Sequence, residues 1–443
     1  MSIKIYKIAF YSLFILAFFA CNQPKPVTLT FAFGPDDGEQ TIQYLIDQFN
    51  QEHAGKIKVN WKESSRIPDE FYETLAADFE KEAPEIDVFG SDVVWTGVFG
   101  SNGSVEDLSK SFYRDFNPGH FMKSAMNSAV YNFRVYGVPW YTDAAMIFYR
   151  KDLLRKNGFD QAPSTWDELK DMARVVMDRE NIPYGYVFQG DKYEGGVANA
   201  CEFIWNAGGQ ITMDNLSITG FFEDNYIAPS IITVDSRASE NGFAMARSLV
   251  EEGISPESVV YYREAEAEAD FINGKSVFMR GWPGIYGMFQ DENAKVRSDQ
   301  IGVIPIPVLE QGAQSFSCLG GWNLMVNAYT SAEKKEAAWE FIQYLVAAPQ
   351  QRYRAMKSGI LPSLKVLYDD KELLDNVPVI SLARQEIQNA RSRPVSPYYM
   401  EYSPEIATIF HQTLKGELLP EYAVFMLQEY LEDIQMKNMV ADN

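Results

Sequence analysis

The spacing of hydrophobic positions changes period repeatedly along the chain, and those changes set the expected fold. Val27 to Phe33 is β-branched and aromatic, the composition of a strand. Beyond it Ile42, Leu45, Ile46 and Phe49 recur on one helical face, with Asp36 or Asp37 placed to cap that helix. Ile57 to Trp61 alternates as a second strand, Phe71 to Glu80 reads as a helix, and Ile86 to Phe89 as a third strand. Strand, helix, strand, helix, strand implies an α/β domain around a mostly parallel sheet. From Val135 to Tyr149 the chain is apolar and aromatic, interrupted by Thr142-Asp143, before Leu153 and Leu154 begin a helix; a first passage between two domains is expected there. A second α/β stretch runs to about residue 303, with an apolar helix around Phe203 to Trp205 and an acidic run, Glu264 to Asp270, that reads as a solvated helix face. Ile304-Pro-Ile-Pro-Val308 reads as an extended linker and a second passage, because each proline removes a donor and biases its predecessor away from helix. Thr330-x-x-Glu333 has the form of a capping box, after which Ala338, Phe341, Ile342 and Leu345 line one face until Pro349 ends the helix. From about Leu361 the chain reads as helical, with interruptions at Pro394, Pro397, Pro404 and Pro420.

A different pattern opens the chain. Lys4 and Lys7 precede the apolar run Ile8 to Ala20, which is too short for an ordinary transmembrane helix and ends on a small residue before Cys21. This segment resembles the signal peptide of bacterial lipoproteins. The resemblance implies that residues 1–20 are removed, that Cys21 becomes the first mature residue and carries the lipid, and that residues 21–26 form a tether. No later apolar stretch is long enough to span a bilayer, so the remainder is expected to fold outside the cytoplasm. Beyond Cys21 only Cys201 and Cys318 remain, too few for a disulfide scaffold; their spacing does not decide whether they pair, and free thiols are expected.

Composition narrows the function. Among 443 residues, 39 Lys plus Arg stand against 61 Asp plus Glu, a formal charge of -22 that would repel a polyanion, so nucleic acid is not an expected partner. The 14% aromatic content, with 8 Trp and 25 Tyr, supplies rings with a flat apolar face and a polar handle, which suit a sugar as well as a core. His53, His120 and His411 are scattered with no partner at metal-ligand spacing, so neither a metal nor a cofactor is expected. Nucleophile-elbow, phosphate-loop and dinucleotide motifs are absent, and Gly281, Gly284 and Gly287 have the wrong spacing for the last of these. A glycosidase stays open on these grounds, since it needs only two carboxylates across the scissile bond. Trp282 follows an apolar segment on a turn stiffened by Pro283, and Gly320-Gly321-Trp322 lets the backbone approach closely; on spacing alone both are more often core than ligand contacts.

Several stretches are shared with one family. They are Asp87-Val-Phe-Gly-Ser-Asp92-Val-Val-Trp95, Val138-Pro-Trp-Tyr141-Thr-Asp143 continuing to Tyr149-Arg-Lys-Asp-Leu153, Gln189-x-x-x-Tyr193-Glu194-Gly195, Gly274-Lys to Trp282, Gly320-Gly321-Trp322, and Arg393-Pro-Val-Ser-Pro397-Tyr-Tyr. Over nearly the whole mature chain, in this order, the sequence resembles the family 1 extracellular solute-binding proteins of ABC sugar importers, above all the trehalose/maltose-binding members. Tyr149-Arg150 departs from the Tyr-Asn common in that family. The resemblance implies an α/β, two-lobed periplasmic-binding-protein-like fold with three interdomain crossings. The N-terminal lobe would be 27–140 and 309–360, the C-terminal lobe 141–308 and 361–443, with hinges near Trp140 to Asp143, Ile304 to Val308 and Leu361 to Leu364. It implies that Trp282 stacks on a pyranose, that Gly320, Gly321 and Trp322 shape the pocket wall, and that Asp92, Tyr141, Asp143 and Arg393 contact hydroxyls, with Glu39 and Glu194 as further contacts. No residue would be catalytic. The expected partners are a small sugar, the permease subunits of an ABC transporter and, through the lipid, a membrane of the cell envelope, with the monomeric protein facing the periplasm or the exterior. A lipoprotein glycosidase and a sugar sensor without a transport role are the alternatives.

Overall fold

The computed structural model describes residues 25–35, 41–81, 83–213, 231–290 and 294–441; Cys21, Glu39, the apolar leader and the capping candidates Asp36 and Asp37 lie outside them. Strand β1 (Val27–Phe33), helix α1 (Thr41–Glu52), strand β2 (Ile57–Glu63), helix α2 (Pro68–Phe79) and strand β3 (Val88–Asp92) follow the hydrophobic pattern. Thr41, Ile42, Leu45, Ile46 and Phe49 form the buried stripe of α1. β1 runs parallel to β2, with Val27 opposite Ile57, and parallel to β3, with Phe31 opposite Val88.

The apolar tract after Val135 holds two strands in succession, β4 (Val138–Ala144) and β5 (Met146–Arg150), which belong to different sheets. β5 joins β6 (Tyr184–Val187), β7 (Ser276–Gly281) and β8 (Ile301–Ile304) in a four-stranded sheet of order β8-β5-β7-β6. Here α3 (Trp166–Glu180), α4 (Glu194–Trp205), α5 (Glu264–Ile272) and a further helix over Arg237–Glu251 are among the helices, α3 opening on a true capping box between Thr165 and Glu168. The chain then returns to the first sheet as β9 (Leu319–Val326), followed by α6 (Ala332–Val346), α7 (Ala348–Ser358) and β10 (Leu361–Pro362), giving a six-stranded order β10-β4-β9-β3-β1-β2. Helices α8 (Pro378–Asn389), α9 (Tyr399–Leu414) and α10 (Pro420–Ala441) complete the chain.

Three expectations are corrected. The six-stranded sheet is mixed, because β9 lies antiparallel to both β3 and β4; a strand arriving from another sheet is not bound by the βαβ crossover that makes neighbours parallel. Thr330 does not cap α6, whose first residue is Ala332; its hydroxyl donates instead to the buried Asp87 carboxylate at 3.3 Å, which Lys334 also engages at 2.8 Å. Pro404 does not interrupt: α9 continues through it, with Tyr402, Ser403, Ile406 and Ala407 around it buried. By contrast α6 does end at Val346 ahead of Pro349, and breaks fall at Pro394 and Pro397 and before Pro420, with Pro349 and Pro420 in the first turns of the helices that follow.

Two hydrophobic cores back the two sheets. Phe31, Phe89, Trp140 and Phe341 centre the first, and Trp166, Phe203, Phe243 and Phe410 the second. A third cluster, with Ala144, Met146, Met279 and Tyr368, joins them. Beside it three segments lie hydrogen-bonded between the sheets: the Ala145 N–H donates to the Cys318 carbonyl at 3.4 Å, the Ser317 hydroxyl to the Ala145 carbonyl at 2.7 Å, and the Arg391 N–H to the Ser317 carbonyl at 2.9 Å. Cys201 and Cys318 are buried free thiols.

Candidate ligand-binding site

Strand ends and loops of both sheets converge on a cavity of about 750 Å³. From the six-stranded sheet come Asp92 at the end of β3, Tyr141 and Asp143 two residues apart on β4, and Gly320 to Trp322 on β9. From the other side come Trp282 directly after β7 and Glu194 at the start of α4, while Arg393 lies between α8 and α9. All nine residues line the same space.

Trp282 stands on a built platform. The Arg280 guanidinium lies 4.1 Å from the centre of its ring. Arg280 is fully buried and held in a fork by Glu202, Nε to Oε2 at 3.1 Å and Nη2 to Oε1 at 3.0 Å, with Gln189 Oε1 accepting from Nη1 at 3.3 Å. Asn199 donates to the same Gln189 oxygen, and the Cys318 N–H donates to Glu202, so the platform reaches down to the backbone of the passage between sheets. At the ring edge, a Cβ on Gly320 would fall 2.8 Å from Trp282 Cζ3, so glycine is required for the wall to approach the indole. Gly321 has φ of +105°, and a Cβ there would meet the Tyr141 carbonyl at 2.5 Å. The Trp322 ring packs into the first core, 5.1 Å from Phe33 and 5.3 Å from Trp95. Arg280, Glu202 and Gln189 were not selected from sequence. The available sign was the alternation of β7, which puts Arg280 on the face that Trp282 continues.

Opposite lies a second buried arginine. Arg393 pairs with Glu194 through Nη1 and with Asp92 through Nη2 at 3.2 Å, and donates to the Leu319 carbonyl at 3.3 Å. Glu194 also accepts from the Tyr399 hydroxyl and, at 2.8 Å, from Ser403. Burial pushes the Glu194 carboxyl up to about 7; the Arg393 charge opposes this and the Asp92 charge reinforces it. Burial likewise raises Asp92 against the pull of Arg393. Asp143 is pushed up to about 8 by burial, with its Ala144 backbone bond and the Arg280 charge opposing. Two buried polar atoms of this group, Asp143 Oδ1 and Arg393 Nε, have no hydrogen-bond partner among the described residues.

The acidic run does not form a purely solvated face. Glu264, Glu266 and Glu268 of α5 line the far end of the cavity with Arg66 and Arg263. Glu264 accepts from the Tyr193 hydroxyl at 2.6 Å, and Glu268 is raised to about 7 by burial and by the neighbouring Glu264 charge. Glu264 and Glu268 lie one helical turn apart and so share the face turned toward the cavity. Among the described residues no cluster of His, Cys, Asp and Glu has the arrangement of a metal site, and no helix is long and apolar enough to cross a membrane.

The family described as "Bacterial extracellular solute-binding protein" matches residues 35–352. A probable ABC transporter-binding protein of Deinococcus radiodurans is 32% identical over 431 residues, covering 95% of this chain and 96% of the relative. The chain belongs to the bacterial extracellular solute-binding proteins. A maltotriose-binding protein of Pyrococcus abyssi is 23% identical, covering 81% of this chain and 71% of its own. Among solved structures, maltose-bound MalE3 of T. maritima superposes with a TM-score of 0.82 at 30% identity, over 92% of this chain and 100% of the other. As a solute-binding protein the chain has the two-lobed periplasmic-binding-protein fold, with the cavity between the lobes. Its family is one of binding proteins and not of enzymes, which removes the glycosidase alternative.

Proposed function

We propose that this protein captures a small oligosaccharide, an α-glucoside such as maltose, trehalose or maltotriose, and hands it to the permease subunits of an ABC importer. The observation that carries this reading is the pairing of a supported aromatic face with unsatisfied buried polar atoms in one cavity. Trp282 offers a flat apolar surface to the C–H face of a pyranose. Asp143 Oδ1 and Arg393 Nε offer hydrogen bonds that the chain leaves unmade, and leaving such a group buried and unpaired costs about 1–3 kcal/mol. Hydroxyls can both donate and accept, so a sugar relieves both. The maltose held by the MalE3 relative and the name of the Pyrococcus relative support the α-glucoside class.

In this reading the N-terminal lobe comprises 27–140 and 309–360 and the C-terminal lobe 141–308 and 361–443. Asp92 and Gly320 to Trp322 face the sugar from the N-terminal lobe and Trp282 and Glu194 from the C-terminal lobe, with Tyr141 and Asp143 on the strand at the boundary between them, so the full set of contacts exists only in the closed arrangement, which is what shifts the population toward it. Glu39 is a further contact, Cys21 carries the lipid that ties the monomeric protein to the envelope, and the folded part works outside the cytoplasm. Titration calorimetry of the chain from residue 22 onward against maltose, trehalose, maltotriose, a galactooligosaccharide and mannitol tests the class. Saturable heat with at least one α-glucoside is expected; heat only with the last two overturns it. Loss of labelled palmitate in Cys21→Ala tests the anchor, and uptake of the labelled sugar by cells lacking the protein separates delivery from sensing.

A further inference from the structure

Asp69 is the second residue of α2, just after Pro68, and so sits in the positively polarised first turn of that helix. Its carboxylate also meets a second such end. The first N–H of α4, that of Glu194, donates to Asp69 Oδ2 at 3.1 Å. α4 is 12 residues long and has no cap of its own, because Tyr193 precedes it with no side-chain acceptor. The two helices belong to opposite halves of the molecule: Phe71 and Leu75 of α2 are in the first core, Val197 and Ile204 of α4 in the second. Ile67, Asp69 and Glu70 on one side and Lys192, Tyr193 and Ser403 on the other line the narrow seam between them. Glu194, the residue so capped, is the one that holds Arg393.

We infer that Asp69 is a positioning residue for ligand capture: a helix cap supplied across the cleft, which draws the two lobes together and sets Glu194 against Arg393. This rests on the capture function proposed above. One carboxylate serves two helix N-termini, that of its own helix at all times and that of α4 only when the lobes are in contact. The bond is made between protein atoms, so its bias toward closure acts before a sugar arrives and leaves the sugar less to supply. Charge sets a limit on that bias. Besides burial and Arg393, the Asp69 charge weighs on both Asp92 and Glu194, so the carboxylate approaches two others around one guanidinium. The two helix ends offset that repulsion.

The test measures lobe separation directly. Spin labels at Gln51 on α1 and Asp171 on α3, exposed positions on opposite halves, report the distance distribution of the full folded chain without added sugar. Asp69→Ala is expected to move that distribution to longer separations and to weaken maltose binding about tenfold, mainly through faster dissociation, the size of a lost helix cap. Asp69→Asn, which keeps an acceptor oxygen, should lie between, and Glu73→Ala, at an exposed position of the same helix away from the seam, should change neither reading. An unchanged distribution in Asp69→Ala overturns the inference, as does a parent protein found only at the long separation without sugar. A fall in thermal midpoint alone, with distances unmoved, would mark Asp69 as merely structural. If Asp69→Ala fails to fold, Asp69→Asn is read by the same criteria. The distances need no ligand, so failure of every α-glucoside to bind sinks the capture function and leaves the lobe measurement standing.

Discussion

Two arginines are buried a short way apart, and their surroundings differ in a way that separates support from recognition. Arg280 has one carboxylate partner in a two-bond fork, a third bond to Gln189, and no exposure. Arg393 has two carboxylates competing for it, an Nε with no partner among the described residues, and a neighbour in Glu194 whose carboxyl is pushed up to about 7. A completed network gains nothing from a ligand and is suited to hold a ring in place. An incomplete one retains hydrogen-bonding capacity that a ligand can fill.

That contrast can be broken first at Arg280. Arg280→Ala leaves Glu202 buried without its counter-charge and should destabilise the fold by about 3–5 kcal/mol, measured by denaturant unfolding without sugar. A loss confined to sugar affinity, with stability intact, would show that Arg280 is part of recognition and erase the distinction. Next in size is Trp282→Ala, expected to weaken sugar binding by about 1–3 kcal/mol in calorimetry with little change in stability, since the ring is only partly buried. Gly320→Ala should weaken binding by a lesser amount, on the order of 1 kcal/mol, because its methyl group would displace the indole edge 2.8 Å away.

The smallest effect sharpens the comparison through pH. Asp143 and Glu194 rise from ordinary values of 3.8 and 4.5 to about 8 and about 7 in the folded protein. The folded state therefore binds more protons than the unfolded chain across that interval. Their contribution to stability is present at the acid end and is lost as pH rises through about 7 and then about 8. Unfolding midpoints of Asp143→Asn and Glu194→Gln should fall less between pH 6 and 8.5 than those of the parent, and a slope equal to the parent's would show that neither group titrates there.

How much of this was legible depends on how local each feature is. The α1 stripe and the β1 to β3 strands follow from spacing within single segments, and Trp282 and Gly320 to Trp322 stand in short motifs that the family resemblance marks. Arg280 and Glu202 lie 78 positions apart and meet only because β7 and α4 pack together; no period in the sequence carries that contact. The acidic face of α5 misled for a similar reason, since charge pattern says that a helix face is polar and not whether bulk water or a cavity lies beyond it. Thr330 failed as a cap because a distant carboxylate, Asp87, competed for its hydroxyl. Antiparallel placement of β9 is likewise a property of chain return and not of local composition.

A mechanical consequence follows from the segments at Ala145, Ser317 to Leu319 and Arg391. A single residue separates β4 from β5, its N–H and carbonyl are both taken by the second segment, and that segment in turn holds the third through Arg391 to Ser317 and Leu319 to Arg391. Strands bound edge to edge in this way act as one axle. Translation or splaying of one lobe against the other would have to break several buried bonds together, whereas rotation asks only for small torsional changes shared among adjacent residues. Under the closure proposed above, the molecule would be left with close to one inexpensive degree of freedom, and a machine with one degree of freedom returns to the same geometry each time it shuts.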